Sequence, residues 1–571
     1  ELREERIGTE SVDVSMYTRN NRAFTEQNND LYLNMNKNFG TDGEISFSGL
    51  LGYNQRRSSF QSIYASTNGG LVVPGVYALS NSVAAPAAPS EGSNTIGVDG
   101  IYGQASFGYQ NFLYVDLSAR QDVSSTLPVE NNTYFYPAAS LSLIWSEFVD
   151  SDILSFGKIR ANWANVGSDA PANALVDAYG IGTPFNGTTL ASAPSTQNNS
   201  TLLPENTAST ELGLEIKMFD NRFGFDVSAY QRSTTNQILP AQVSTATGTY
   251  YKYVNAGQVD NEGFEVSSYI TPVKTKDFQW DVNINWSTND NTVVSLFGDS
   301  ESLLLGSVQG GVNMTARVGQ SYGTLEGTQY VRAGGDGAPL VYDWSSSRGG
   351  ARYYTGDVGV IGNVQADWRG GINNAISYKN IRLSALVDAQ MGGNFFSLDT
   401  YYGYGTGVYD FQAGTNAAGN PIRTNVEDGG GLTFEEVAYL GIETPQQWDG
   451  VTVDADGNPV GTENSTPMWM NDYGNAMGWA LGGPKEMHIH DASFVKLREV
   501  ALTYTLPTSA LAGLPVAGVD VSFIGRNLAI LYKNTPWSDP EAGLAAGNLQ
   551  GYQSGAYPTL REVGVNLRVK F

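Results

Sequence analysis

The stretch Asn111-Phe-Leu-Tyr-Val-Asp-Leu-Ser-Ala-Arg120 decides the fold. Leu113, Val115, Leu117 and Ala119 fall on one face of an extended chain, and Tyr114, Asp116, Ser118 and Arg120 on the other, because successive side chains of a strand point to opposite sides. The same split recurs in residues 372–390, where Ile381, Leu383, Ala385 and Val387 oppose Arg382, Ser384 and Asp388. Alternation of this kind along the chain predicts an all-β protein. It fits a sandwich strand with its apolar side inward, or a membrane-barrel strand with its apolar side in lipid and its polar side on a lumen.

Connection lengths separate these architectures. Strands expected near 100–109 and 112–121 join at Gln110–Asn111, those near 208–218 and 223–233 at Asp220–Asn221, and those near 370–379 and 381–391 at Lys379–Asn380. Each junction is a tight hairpin. Between the hairpins lie polar, Gly- and Asn-rich stretches at roughly 55–99, 167–207, 290–369, 392–491 and 530–558, far longer than ordinary loops. The alternation of short and long connections predicts a transmembrane antiparallel β-barrel with short periplasmic turns and long extracellular loops. The expected count is about fifteen strands plus a partial one at the N-terminus, each near the ten residues a tilted strand needs to cross the hydrocarbon layer. Tyr134, Tyr136, Trp145, Trp280 and Trp286 fall near strand ends, where aromatic girdles are expected.

Composition agrees. The 571 residues include 66 Gly and 32 Tyr, and only 16% are charged, a mixture suited to strands and turns. No run of 18 apolar residues occurs, so any membrane crossing must be made by strands. With no Cys there is no disulfide framework or thiolate metal site. The formal charge of −25 argues against nucleic acid as a partner, since phosphate binding needs clustered Lys and Arg. The opening residues ELREERIG carry no Met, basic n-region or apolar h-region, so the expectation is a mature, processed or incomplete chain.

The last strand, Glu562-Val-Gly-Val-Asn-Leu-Arg-Val-Lys-Phe571, alternates throughout. It resembles the signal read by the outer-membrane barrel-assembly machinery, with Glu562, Gly564, Leu567, Val569 and Phe571 in the matching positions. Longer segments resemble the SusC/RagA family of TonB-linked outer-membrane proteins: GIYGQASFGYQNFLYVDLSARQDVSSTLP (100–128), FYPAASLSLIWSE (135–147), LSFGKIRANWANVG (154–167), ELGLEIKMFDNRFGFDVSAYQ (211–231), NQILP (236–240), NAGQVDNEGFEV (255–266), DASFVKLREVALTYTLP (491–507) and GRNLAILYKNTPWSDPEAG (525–543). The match is weakest around 292–360 and 400–485.

The resemblance implies a C-terminal portion of a SusC-like TonB-dependent transporter. Family barrels have about 22 strands, so residues 1–571 are expected to lack the first strands, the plug and the TonB box. It further implies a SusD-like surface lipoprotein that captures oligosaccharide or peptide, a TonB complex acting through the missing N-terminal part, outer-membrane lipid around the wall, and a dimer of transporter–lipoprotein pairs. Two other readings stay open: a passive porin of about sixteen strands, and a secreted β-rich adhesin or glycan-binding module with its apolar strand faces buried against a second sheet.

Reactive chemistry is sparse. His488, His490 and Asp491 could supply metal ligands, but surface histidines in a loop are the plainer expectation. Asp454-Ala-Asp-Gly-Asn458 lacks the Gly position and spaced Glu of a calcium loop and is expected to be a polar turn. The glycines of YYGYGTG (401–407) follow no βαβ pattern, and no nucleophile elbow, metalloprotease helix or P-loop occurs. The expectation is therefore no enzyme, cofactor or metal. Tyr401, Tyr402, Tyr404, Tyr409, Trp469 and Trp479 could line a substrate cavity or touch a lid, or could pack the loops against each other.

Overall fold

A computed structural model describes residues 2–6, 15–41, 43–298, 300–332, 339–343, 351–432, 451–453, 459–463, 483–543, 547 and 550–571. Fifteen long strands occur among them: β1 (Met16–Phe39), β2 (Ile45–Ser66), β3 (Ser90–Tyr109), β4 (Leu113–Ser124), β5 (Thr133–Leu143), β6 (Leu154–Ser168), β7 (Glu205–Met218), β8 (Phe223–Gln242), β9 (Tyr251–Lys274), β10 (Phe278–Ser295), β11 (Trp368–Tyr378), β12 (Ile381–Met391), β13 (Phe494–Thr505), β14 (Gly518–Lys533) and β15 (Glu562–Lys570). The chain forms two units. The first holds residues 1–147, 158–212 and 232–258, and the second holds 148–157, 213–231 and 259–571.

In the first unit β1 to β6 pair antiparallel with their chain neighbours. The register sorts the side chains as the alternation requires. Asn36, Ser48, Ser106, Asp116, Ser140 and Asn162 stand opposite one another in one row. One residue along each strand lies the apolar row, with Phe47, Phe107, Val115 and Leu141. Phe107, Leu117 and Leu141 stay 43–47% exposed, because this face meets lipid and not a second protein layer.

The second unit repeats the scheme from β10 to β15. Trp280, Ile376, Leu383, Leu502, Phe523 and Val565 form an apolar row, and Gln279, Ser377, Arg382, Thr503, Ser522 and Asn566 the neighbouring polar one. Glu562, Gly564, Leu567, Val569 and Phe571 occupy β15 and its end; Val563, Val565 and Leu567 are at least 63% exposed. Among the described residues β15 pairs with β14 alone.

The tight turns fall where the sequence places them. Gln110 and Asn111 take φ of 46° and 59°, Phe219, Asp220 and Asn221 take 57°, 55° and 62°, and Lys379 takes 51°, left-handed values that close short connections at 110–112, 219–222 and 379–380.

Three expectations need correction. Strand length is the first: β1 and β9 have 24 residues, β2 has 22 and β3 and β8 have 20, about twice a membrane span. A hydrogen-bonded ladder continues into water without an apolar face, so loss of alternation marks the membrane edge and not the strand end. The second is Tyr134 and Tyr136, which stand opposite Asp122 and Arg120 on the polar face and form no outward girdle. Arg120 Nε donates to Asp122 and Tyr136 at 2.8 Å, and Tyr136 donates to Asp122; a phenol hydroxyl follows its charged partners. Trp280 and Trp286 do lie on the apolar face. The third is the long connections, which fold locally: 302–307, 313–317, 324–330 and 355–363 make a four-stranded antiparallel sheet within the span from 290 to 369.

Leu502→Arg should destabilise the folded barrel by about 2–4 kcal/mol, whereas Ser384→Arg on the lumen face should cost much less. Denaturant titration of the two variants in lipid vesicles measures the difference.

Candidate functional site

The long connections of the second unit converge on one body. Asn394–Ser397 pairs antiparallel with Ile489–Asp491, near the other end of the same connection, and parallel with Tyr552–Gln553 of the connection between β14 and β15, so two connections share one small sheet. Ser397 then caps the helix Leu398–Thr406: its Oγ accepts from Thr400 N at 3.1 Å, satisfying a free helix donor. Gly407, at φ +68°, ends the helix by donating its N–H to Gly403 O, a left-handed closure that suits glycine.

The helix buries Leu398, Tyr401 and Tyr404 and leaves Tyr402 at the surface. Beneath it Val312, Met314, Leu325, Phe396 and Tyr552 complete an apolar core. Tyr552 is fully buried and donates to Val312 O at 2.7 Å. Glu486 adds charge, accepting from Tyr330 N at 2.9 Å and from Arg332 at 2.7 Å.

Neither histidine is a free surface residue, which corrects the expectation: His488 lies in the core and His490 is half-buried at the cavity wall. His488 is fully buried, 5.3 Å from Tyr401 and 5.6 Å from Tyr404 between ring centroids. Its Nδ1 lies 3.2 Å from Thr400 Oγ1, and His490 Nε2 lies 3.3 Å from the same oxygen. Thr400 Oγ1 donates its single proton to Ser397 O at 3.0 Å. The network therefore assigns both ring nitrogens as donors. Asp491 turns away, accepting from Ser493 N and Asn534, and among the described residues no group of three metal-type ligands forms.

A cavity of about 400 Å³ opens beside this body, lined by Asp399, Tyr402, Tyr409, His490, Trp537 and Gln553 among others. That volume is at the low end for small-ligand sites. Tyr409 stacks on Trp537 with centroids 4.1 Å apart and planes at 26°, leaving an aromatic platform. Asp399 accepts from Gln553 and from Gly555 N. No Lys or Arg lines this cavity. It offers aromatic faces and hydrogen-bonding groups without fixed positive charge.

The wall beside the cavity carries an ion cluster with a buried Lys496–Asp539 pair and part-exposed Glu541, Arg498 and Asp388. Lys496, 2% exposed, donates to Asp539 at 2.5 Å and to Glu541; Arg498 donates to Asp388 at 2.7 Å and to Glu541. Burial alone would raise both loop carboxyls, but hydrogen bonds from Lys496 and Thr559 bring Asp539 down to about 2, and those from Arg498 and Lys496 lower Glu541. Burial pushes the His490 imidazole down to about 4 and the Tyr409 phenol upward.

Of the aromatics singled out from sequence, Tyr402 and Tyr409 line the cavity and Tyr401 and Tyr404 lie in the core below it. Trp469 and Trp479 lie outside the described residues, as do residues 454–458. Sequence reading missed Trp537, Asp399, Gln553 and Lys496. The available signal was Trp537-Ser-Asp-Pro-Glu541, an aromatic with two carboxylates in an otherwise small-residue segment.

Tyr552→Ala should cost the loop body about 3–5 kcal/mol, so hydrogen exchange should lose protection at 312–330, 394–404 and 488–491 while β11 to β14 keep theirs. Acid should loosen the same body. His490 titrates lower when packed than when released, so released chain takes up a proton that packed chain refuses, and stability falls from pH about 6.5 toward 4. Asp539 contributes above about 4 and is lost only as pH falls through about 2. Protection factors compared at pH 7 and pH 5 should drop in the native protein and change little in His490→Phe.

Comparison with known proteins places this geometry. The family model described as TonB dependent receptor-like, beta-barrel matches residues 6–388. TonB-dependent receptor P3 of Formosa agariphila is 24% identical over 95% of this chain and 52% of its own length. TonB-dependent receptor SusC of Bacteroides thetaiotaomicron is 23% identical over 71% of this chain and 37% of its own length. The chain thus spans about half or less of the curated relatives it matches. A structure of the RagAB peptide transporter superposes with a TM-score of 0.72 at 17% identity, covering all of this chain and 58% of that one. With two-thirds of its residues inside the family match, and with apolar strand faces turned to lipid, the chain belongs to the TonB-dependent receptor-like β-barrel family of the outer membrane, alongside SusC- and RagA-type members.

Proposed function

We propose that these residues form barrel wall and extracellular loops of a SusC/RagA-type TonB-dependent transporter that imports oligosaccharide or peptide captured by a SusD-like surface lipoprotein. The observation that carries this reading is the co-folded loop body with its aromatic cavity. A passive porin gains nothing from two long connections locked around a binding-sized space, whereas a transporter must hold its cargo before moving it. The polar strand rows, with Asp116, Ser118 and Arg120, suit a wall that surrounds a plug.

The strand edges fit the same reading. β15 has one partner among the described residues, and an unpaired edge in lipid is not viable. On this reading the remaining strands, the plug and the TonB box belong to a longer protein of which these residues are part. The lipoprotein docks on the extracellular loops of the first unit, where the hairpin of residues 180–192 leaves Ile181 81% and Phe185 74% exposed. Large apolar side chains held in water at a loop tip suit a protein partner.

The test is purification of the full-length protein from outer membranes, followed by planar-bilayer recording and peptide mapping of what accompanies it. The expected result is a closed barrel with a plug-bearing segment and a lipoprotein, the latter lost about tenfold in Phe185→Asp. A steadily open pore without a partner would establish the porin instead.

A further inference from the structure

The segment between β14 and β15 leaves the wall at Lys533 and returns at Glu562, yet it is fastened to neither strand alone. Asp539 and Glu541 reach across to Lys496 and Arg498 on β13, and Arg498 continues to Asp388 on β12. Asp539 also accepts from Thr559 Oγ1 at 2.5 Å, just before β15 begins. Two residues before Asp539, Trp537 stacks on Tyr409 of the loop body. Residues 535–542 of this segment are held by charge on the wall side and by an aromatic stack on the loop side, with the cavity between them, while Tyr552 and Gln553 farther along belong to the loop body.

We propose that Lys496 and Arg498 are positioning residues that clamp residues 535–542 in place as the movable side of the cavity. Lys496 stands on the polar face of the wall, opposite Asp388, and its ammonium has the two carboxylates and the Phe494 ring, 5.1 Å from its centroid. A buried cation stripped of its carboxylates must be hydrated, and the route for water is to lift the segment. Trp537 and Asp539 then leave the cavity while the loop body, which keeps Tyr552 and the helix, stays folded. The meaning of the cavity as a cargo chamber rests on the import reading above; the clamp itself does not.

The chain has no cysteine, so an introduced one reports alone. Ala542 is buried next to Glu541 and Tyr557 is 94% exposed; Ala542→Cys reads opening and Tyr557→Cys serves as control. In the full-length protein without ligand, Asp539→Asn with Glu541→Gln should speed maleimide labelling at 542 by about a hundredfold and leave labelling at 557 unchanged. Lys496→Met should act alike from the wall side, and Lys496→Arg, which keeps the charge, should restore protection. Heat-modifiable migration shows that each barrel has folded. Labelling at 542 within about twofold of the parent in the double variant, or loss of protection in Lys496→Arg equal to that in Lys496→Met, overturns the clamp. Because no cargo is present, failure of saccharide or peptide uptake counts against the import reading and leaves this result standing.

Discussion

Lipid offers no hydrogen bonds to a peptide backbone, and that constraint governs the molecule. Each strand must find its donors and acceptors on a neighbour, so the ladders of β1 to β6 and of β10 to β15 run in unbroken antiparallel register apart from local bulges. Once neighbours are fixed, the pleat sends alternate residues to lipid and to the lumen. A slip by one residue would put Asp116 and Ser140 in hydrocarbon and Leu117 on the lumen side, which explains how a sheet with little conventional core keeps one register.

Outside the membrane the constraint relaxes and other forces take over. The long strands continue as polar ladders, and the connections of the second unit build a true core around Phe396, Met314 and Tyr552. That core is where apolar burial acts as in a soluble protein. It fixes Tyr402 and Tyr409 at the rim of a cavity, and the ion cluster fixes the opposite side. The two fastenings differ in kind: the core resists opening through buried area, and the cluster through the cost of leaving Lys496 unpaired.

The candidate site was only partly legible beforehand. Tyrosines in YYGYGTG marked the right segment, but a 3.6-residue helical period decides which of them are exposed, and no strand pattern announced that short helix. His488 looked like a loop residue because its burial comes from Phe396 and Tyr401, which are remote in sequence. Trp537 was passed over because its partner, Tyr409, lies on another connection.

The sequence by itself determined the wall: strand identity, the lipid and lumen faces, the hairpin turns at Gln110, Asp220 and Lys379, and the family. All but the family follow from period-two alternation and local turn chemistry, which act over a few residues; the family follows from the resemblance of whole segments. Tertiary structure decided how far the strands continue past the membrane, that Tyr134 and Tyr136 turn to the polar face, and how two connections close on one cavity. Those outcomes depend on pairings such as Phe396 with Tyr552 and Lys496 with Asp539, and contacts between residues so far apart in the chain leave no periodic trace in it.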